Sequence, residues 1–193
     1  MLGLKLATDP RWVDIAGMSI EEILTDHAWC EQKAATNGIT VISKFSEFEN
    51  MVDKVAPVIA EEWGHFRKVL KELKKRKLKL GAQRKDEYVN ELFKLEKKGG
   101  SRAQALVEKL LICAMIEARS CERFRLLSLH IQDDLLKEFY HEFMVSEAGH
   151  YTLFIKLAKE ILPDEYVEKR WQHYLEGEAE IMKKFEYRKG RIH

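Results

Sequence analysis

Two five-residue segments of this chain have the same chemistry: Glu62-Trp63-Gly64-His65-Phe66 and Glu147-Ala148-Gly149-His150-Tyr151. Each follows a lone glutamate on an apolar helical stripe, Glu31 by 31 residues to Glu62 and Glu117 by 30 residues to Glu147. A Glu and a His three positions apart lie one helical turn apart on the same face, so each pair can address one metal. A Glu from each of two helices and Glu-x-x-His from each of two others make up the ligand set of carboxylate-bridged two-metal bundles. The spacing therefore predicts two helix hairpins with equivalent chemistry, their ligands directed at one metal pair.

A third Glu-x-x-His, Glu138 to His141, competes for this assignment, and with 24 Glu and 7 His in the chain about one such pair arises by chance. Periodicity separates it from the others. Leu136, Phe139, Phe143, Phe154 and Ile161 fall within a quarter turn of Glu147, placing Glu147 and His150 on the apolar face and Glu138 and His141 off it. Glu31 shares a stripe with Leu24, Ala35 and Ile42, Glu62 with Val55, Phe66 and Leu73, and Glu117 with Leu110, Cys113 and Phe124. An ionised carboxylate in such surroundings costs several kcal/mol unless paired, on the order of the penalty for a buried ion. Two divalent cations would balance the four carboxylates, and two imidazoles would complete the coordination. His27, one turn before Glu31, could hydrogen-bond that carboxylate from behind. Glu122 lies off the stripe and is assigned to ion pairing with Arg119, Arg123 or Arg125.

These side chains must be carried by long helices. The 193 residues contain 46% hydrophobic and 34% charged residues and only three prolines, the balance of amphipathic helices in a single domain, residues 1–193. The pattern S/T-x-x-E/Q at Ser19, Ser46 and Ser101 marks helix starts. The expected elements are helices over 20–43, 47–79 with a kink or restart at Pro57, 102–130, and from Asp133 or Asp134 to 161. A short inserted helix is expected over 85–97, and an outer C-terminal helix begins at Pro163-Asp164 and carries Trp171, Tyr174, Leu175, Met182 and Phe185. The fold class is all-α, a four-helix bundle with an inserted and an extra C-terminal helix. Three cysteines, Cys30, Cys113 and Cys121, without a Cys-x-x-Cys pair indicate neither a disulfide framework nor a zinc ribbon. No apolar run is long enough to span a membrane, and MLGLKLATDPRW lacks the features of a signal peptide, so the expected location is cytoplasmic.

The net charge is only +1, yet ten basic residues and one acid, Glu72, lie between Arg67 and Lys85. Arg67, Lys68, Lys71, Lys74, Lys75, Arg76, Lys77, Lys79, Arg84 and Lys85 form a candidate surface for RNA phosphates. A weaker basic run, Lys183, Lys184, Arg188, Lys189 and Arg191, ends the chain.

The strings Asp26-His27-Ala28-Trp29-Cys30-Glu31-Gln32-Lys33-Ala34-Ala35, Glu62-x-x-His65-Phe66, Ile116-Glu117-Ala118-Arg119-Ser120-Cys121-Glu122-Arg123-Phe124 and Ser146-Glu147-Ala148-x-His150-Tyr151 resemble the MiaE family of tRNA hydroxylases. The resemblance implies a ferritin-like di-iron monooxygenase. Its substrates would be O2 and the isopentenyl group of 2-methylthio-N6-isopentenyladenosine beside the tRNA anticodon. It implies two iron ions held by Glu31, Glu62, His65, Glu117, Glu147 and His150, an external electron donor supplied through a reductase, and the anticodon loop as partner. Two other readings share parts of this evidence: a ferritin-like oxidase or ferroxidase with a non-RNA substrate, and a catalytically silent helical RNA-binding module.

Overall fold

The computed structural model describes residues 3–184 and Ile192. Among them are seven helices and no strand: α1 (Trp12–Ala16), α2 (Ile20–Lys44), α3 (Glu49–Lys75), α4 (Glu87–Lys94), α5 (Arg102–His130), α6 (Asp134–Ile161) and α7 (Asp164–Lys184). Phe185 and the basic residues Arg188, Lys189 and Arg191 lie outside the described residues. The chain divides into two compact units, one built from residues 14–85 and the other from 3–13 and 86–184.

In the first unit α2 and α3 form a hairpin. Ser19 caps α2, its hydroxyl accepting from the Glu22 amide at 3.3 Å and so satisfying one of the donors a helix start leaves over. The α3 residues Met51, Val55, Val58, Glu62, Phe66, Val69 and Leu73 repeat at intervals of three and four and are all buried. At Gly38 a Cβ would sit 2.6 Å from Ile59 Cγ1, so the glycine on α2 is what lets α3 approach. Gly38 thus serves packing.

Two expectations for α3 change. The Ser46 capping box is not used; the helix starts at Glu49 behind Phe48, whose ring lies 6.5 Å from the buried Phe45, and Ser46 stays exposed. Contact of the half-buried Phe48 with the buried Phe45 sets the loop in place of the cap. Of the two outcomes expected at Pro57, a kink or a restart, the restart does not occur, and the helix runs on to Lys75 with Pro57 inside it. It then closes in a left-handed Lys77 (φ 58°), with the Leu78 amide bonded to Leu73 O at 2.9 Å and the Lys77 amide to Lys74 O at 3.0 Å.

From there the chain returns as an extended strap along α2. Glu21 accepts from the Lys79 amide (3.0 Å), Thr25 from the Gly81 amide (3.2 Å), Trp29 Nε1 donates to Gly81 O (2.9 Å) and Lys33 Nζ to Arg84 O (3.1 Å). These four α2 residues are spaced every fourth position, so a single face of the helix holds the strap.

In the second unit α5 and α6 form the equivalent hairpin. Ser101 and Gln104 complete a reciprocal capping box on α5, and Asp133 caps α6 by accepting from the Leu136 amide at 3.0 Å. The helix α7 packs on both α4 and α5. For this reason α5 is buried around most of its circumference, with charged residues inside.

Arg119 is wholly buried. It donates to both Glu178 oxygens (2.8 and 2.9 Å), to Thr8 Oγ1 (3.0 Å), to Leu6 O (2.9 Å) and to Glu122. This arrangement pins the segment before α1 onto α5, with Arg123 over the Trp12 ring at 4.9 Å. A second knot joins Glu108 of α5 to Arg170 (2.6 and 2.8 Å), Tyr174 (2.7 Å) and the Lys97 amide (2.9 Å). Among the described residues no helix is long and apolar enough to cross a membrane.

Candidate metal centre

Each unit assembles one triad of the expected donors. In the α2–α3 hairpin, Glu31 comes from the middle of α2 and Glu62 and His65 from one turn of α3. One ligand atom from each lies within 4.8 Å of the others. His65 Nδ1 is 3.4 Å from Glu31 Oε2 and 3.7 Å from Glu62 Oε2. Both carboxylates are buried, at 4% and 2% exposure. Behind Glu31, the wholly buried His27 brings its Nε2 to 2.7 Å from Oε1, which fixes the carboxylate's rotation.

In the α5–α6 hairpin, Glu117, Glu147 and His150 likewise offer atoms within 4.8 Å of one another, and all three are buried. His150 Nδ1 lies 3.7 Å from Glu147 Oε2. Cys121, one turn after Glu117, donates to Met144 O at 3.3 Å. Burial first, and then the Glu147 charge, push its thiol up to about 11, so it stays protonated and acts as a packing residue beside the triad.

The donor set fits a redox-active divalent metal. Each triad supplies two carboxylates and one imidazole, an oxygen-rich set that suits iron or manganese over the sulfur-rich sites of zinc and copper. Removing these carboxylates from water costs free energy that a cation would offset.

Residues off the stripe fall elsewhere. Glu138 and His141 are both exposed on α6. Glu122 is committed to Arg119 and Thr8. Of the ten basic candidates, Arg67, Lys68, Lys71, Lys74 and Lys75 lie exposed on α3 and Arg76 caps it, while Lys77, Lys79, Arg84 and Lys85 belong to the strap. Arg76 is neutralised by Glu72 at 2.6 Å and Arg84 faces Glu22 at 3.7 Å. The sequence pattern did not reveal the buried Arg119–Glu178 and Glu108–Arg170 pairs, because the face of α5 that they occupy is covered only once α7 packs there. A surplus of charged side chains inside an otherwise apolar helix was the available signal.

The family model described as MiaE, tRNA-(MS[2]IO[6]A)-hydroxylase, matches residues 2–193. The chain belongs to the MiaE family. A tRNA 2-(methylsulfanyl)-N(6)-isopentenyladenosine(37) hydroxylase of Pseudomonas putida is 35% identical over 151 residues, 78% of this chain and 72% of the relative. The Salmonella typhimurium protein of the same name is 30% identical over 132 residues, 68% of this chain and 47% of its own.

Among solved structures, Protein 43 with aldehyde deformylating oxygenase activity from Synechococcus superposes with a TM-score of 0.87 at 31% identity, over 92% of this chain and 88% of that one. The MiaE-family chain thus has the all-helical, ferritin-like fold expected of it, with α4 inserted between its hairpins and α7 appended after them.

Proposed function

We propose that this chain is an O2-dependent di-iron monooxygenase that hydroxylates the isopentenyl group of 2-methylthio-N6-isopentenyladenosine in tRNA, next to the anticodon. The observation that carries the reading is the pair of matching triads, Glu31-Glu62-His65 and Glu117-Glu147-His150, in a chain whose relatives are named for this reaction. The six residues would hold two iron ions, each triad contributing two carboxylates and one imidazole. When bound, the iron supplies the activation of O2 that an unactivated C–H bond requires.

The protein's part is positioning. His27 holds Glu31 in one orientation through its 2.7 Å contact, so the carboxylate has little freedom to reorganise. Four carboxylates and His150 are buried, which keeps bulk water from the donor atoms. Insertion of one oxygen atom, with the other leaving as water, takes two electrons and two protons from outside, so a reductase is implied. An anticodon-loop base can be unstacked and inserted, the usual mode of RNA recognition at loops, while exposed basic residues of α3 and the strap take the phosphates. With a tRNA substrate the reaction would take place in the cytoplasm.

The test is to incubate iron-loaded protein with isopentenylated tRNA, O2 and a chemical reductant, followed by nucleoside mass spectrometry. A modified nucleoside heavier by one oxygen is expected. Iron-dependent O2 consumption with unchanged tRNA would instead favour an oxidase with another substrate, and tRNA binding without iron would favour a silent binding module.

A further inference from the structure

Trp63 is out of place on a soluble helix. It is 48% exposed, although a Trp side chain gains much by burial. Its ring is nevertheless held firmly. It lies 5.0 Å from Phe66, which is 8% exposed, and Phe66 lies 6.0 Å from Trp29, whose Nε1 is tied to Gly81 O at 2.9 Å. The three rings form a row with fixed inner members and an open outer one.

The surroundings of the open ring are also distinctive. At Gly64 an added Cβ would meet nothing within 4 Å, so the backbone beside the indole is bare and no packing partner accounts for the glycine. Arg67 and Lys74 lie about 40° and 20° round the helix from Trp63, and Lys71 about 80°. All three are exposed and meet no carboxylate at ion-pair distance among the described residues. A flat apolar ring followed by a rising line of cations, with no acid answering them, matches a nucleobase followed by its phosphates. A nucleic-acid strand carries such an anion at every step, whereas a protein partner would need acidic side chains placed to match.

We propose that Trp63 is a stacking platform for an unstacked base of the tRNA loop, with the adjoining phosphates on Arg67, Lys71 and Lys74. The proposal rests on the tRNA reading above and deepens it, because Trp63 lies between the ligands Glu62 and His65 in the chain. Stacking on an exposed aromatic tolerates any base, so Trp63 sets the position of the loop and leaves selection of the modified nucleoside to the site itself.

The experiment is binding of a labelled anticodon stem-loop carrying the isopentenyl group to full-length iron-loaded protein, measured by fluorescence anisotropy at several salt concentrations. Trp63→Ala is expected to weaken binding about tenfold or more, with the slope of log K against log salt unchanged, and Trp63→Phe to restore most of the loss. Arg67→Ala is expected to lower that slope by about 0.7, the loss of one single-strand phosphate contact. Helix content by circular dichroism checks that each variant is folded. Wild-type binding with Trp63→Ala within twofold of it would overturn the platform and leave the hydroxylase reading standing. Failure of the wild type to bind the stem-loop would overturn that reading and the platform with it.

Discussion

His27 Nε2 and Glu31 Oε1 stand 2.7 Å apart, four residues apart on α2 and both buried, so the orientation of one candidate ligand is set by a neighbour that need not touch the metal. His27→Ala is expected to lower Fe(II) or Mn(II) affinity about 10- to 100-fold while leaving helix content unchanged, and a metal titration reads it. Affinity equal to wild type would show that His27 only fills space.

Removal of a proposed ligand is expected to have a larger effect than removal of its look-alike. Glu147→Ala is expected to abolish binding of the metal pair, while Glu138→Ala, an exposed change on the same helix, leaves the iron content intact. Iron analysis after anaerobic loading decides, and full occupancy in the Glu147 variant would sink the ligand assignment.

The glycines before the two histidines can be filled. A Cβ at Gly64 or at Gly149 meets nothing within 4 Å, and both lie inside helices. Gly64→Ala and Gly149→Ala should therefore each stabilise the fold by about 0.5–1 kcal/mol, raising Tm by about 2–4 °C per kcal/mol. Thermal melts of the two variants, singly and combined, measure this; a lowered Tm would point to a contact the fold does not otherwise show.

The Arg119–Glu178 pair is expected to behave as one unit. Arg119→Met takes from the buried Glu178 the guanidinium that bonds both its oxygens and should cost about 3–5 kcal/mol, whereas adding Glu178→Leu should recover a large part of the loss. Urea unfolding of the two singles and the double closes the cycle. Additive losses would mean that the two side chains stabilise the fold independently.

Acid should loosen the contact between α5 and α7. Burial raises the Glu108 carboxyl, but bonds from Arg170, the Lys97 amide and Tyr174 outweigh it and hold the group below its ordinary 4.5. The folded state therefore binds its proton later than the unfolded chain. The associated stability is complete above the ordinary value and is lost as pH falls below it, through the lowered folded value. Glu108→Gln should flatten the fall of the urea midpoint below about pH 4.5, and an unaltered slope would refute the assignment.

Much of this was legible from the residues because helix ends and ligand stripes are local features. Ser101, Asp133 and Pro163 fix the limits of α5 and α6 as expected, and the phase of Glu138 relative to Glu147 places it outside. The failures were tertiary. Ser46 has a good capping sequence, yet the contact of Phe45 with Phe48 places the start of α3 at Glu49. The five-residue α1 is too short for a period to show. The basic run from Arg67 reads as one patch, but Lys77 turns the chain and divides it into a helix end and a strap.

The strap and the face of α2 it follows are of similar length, and the side chains of Glu21, Trp29 and Lys33 bridge the difference. From Glu21 to Lys33 the helix rises about 18 Å at 1.5 Å per residue, and the five peptide steps from Lys79 to Arg84 reach at most about 18 Å when drawn out. The two strands of attachment thus act as a ruler for each other. Substitutions that keep a donor or acceptor leave the measure intact, but loss of one residue from the strap, or gain of one in α2 with its 100° rotation, puts every later bond out of phase. The spacing of residues 79–84 along the strap is thus matched to the four-residue spacing of their partners on α2.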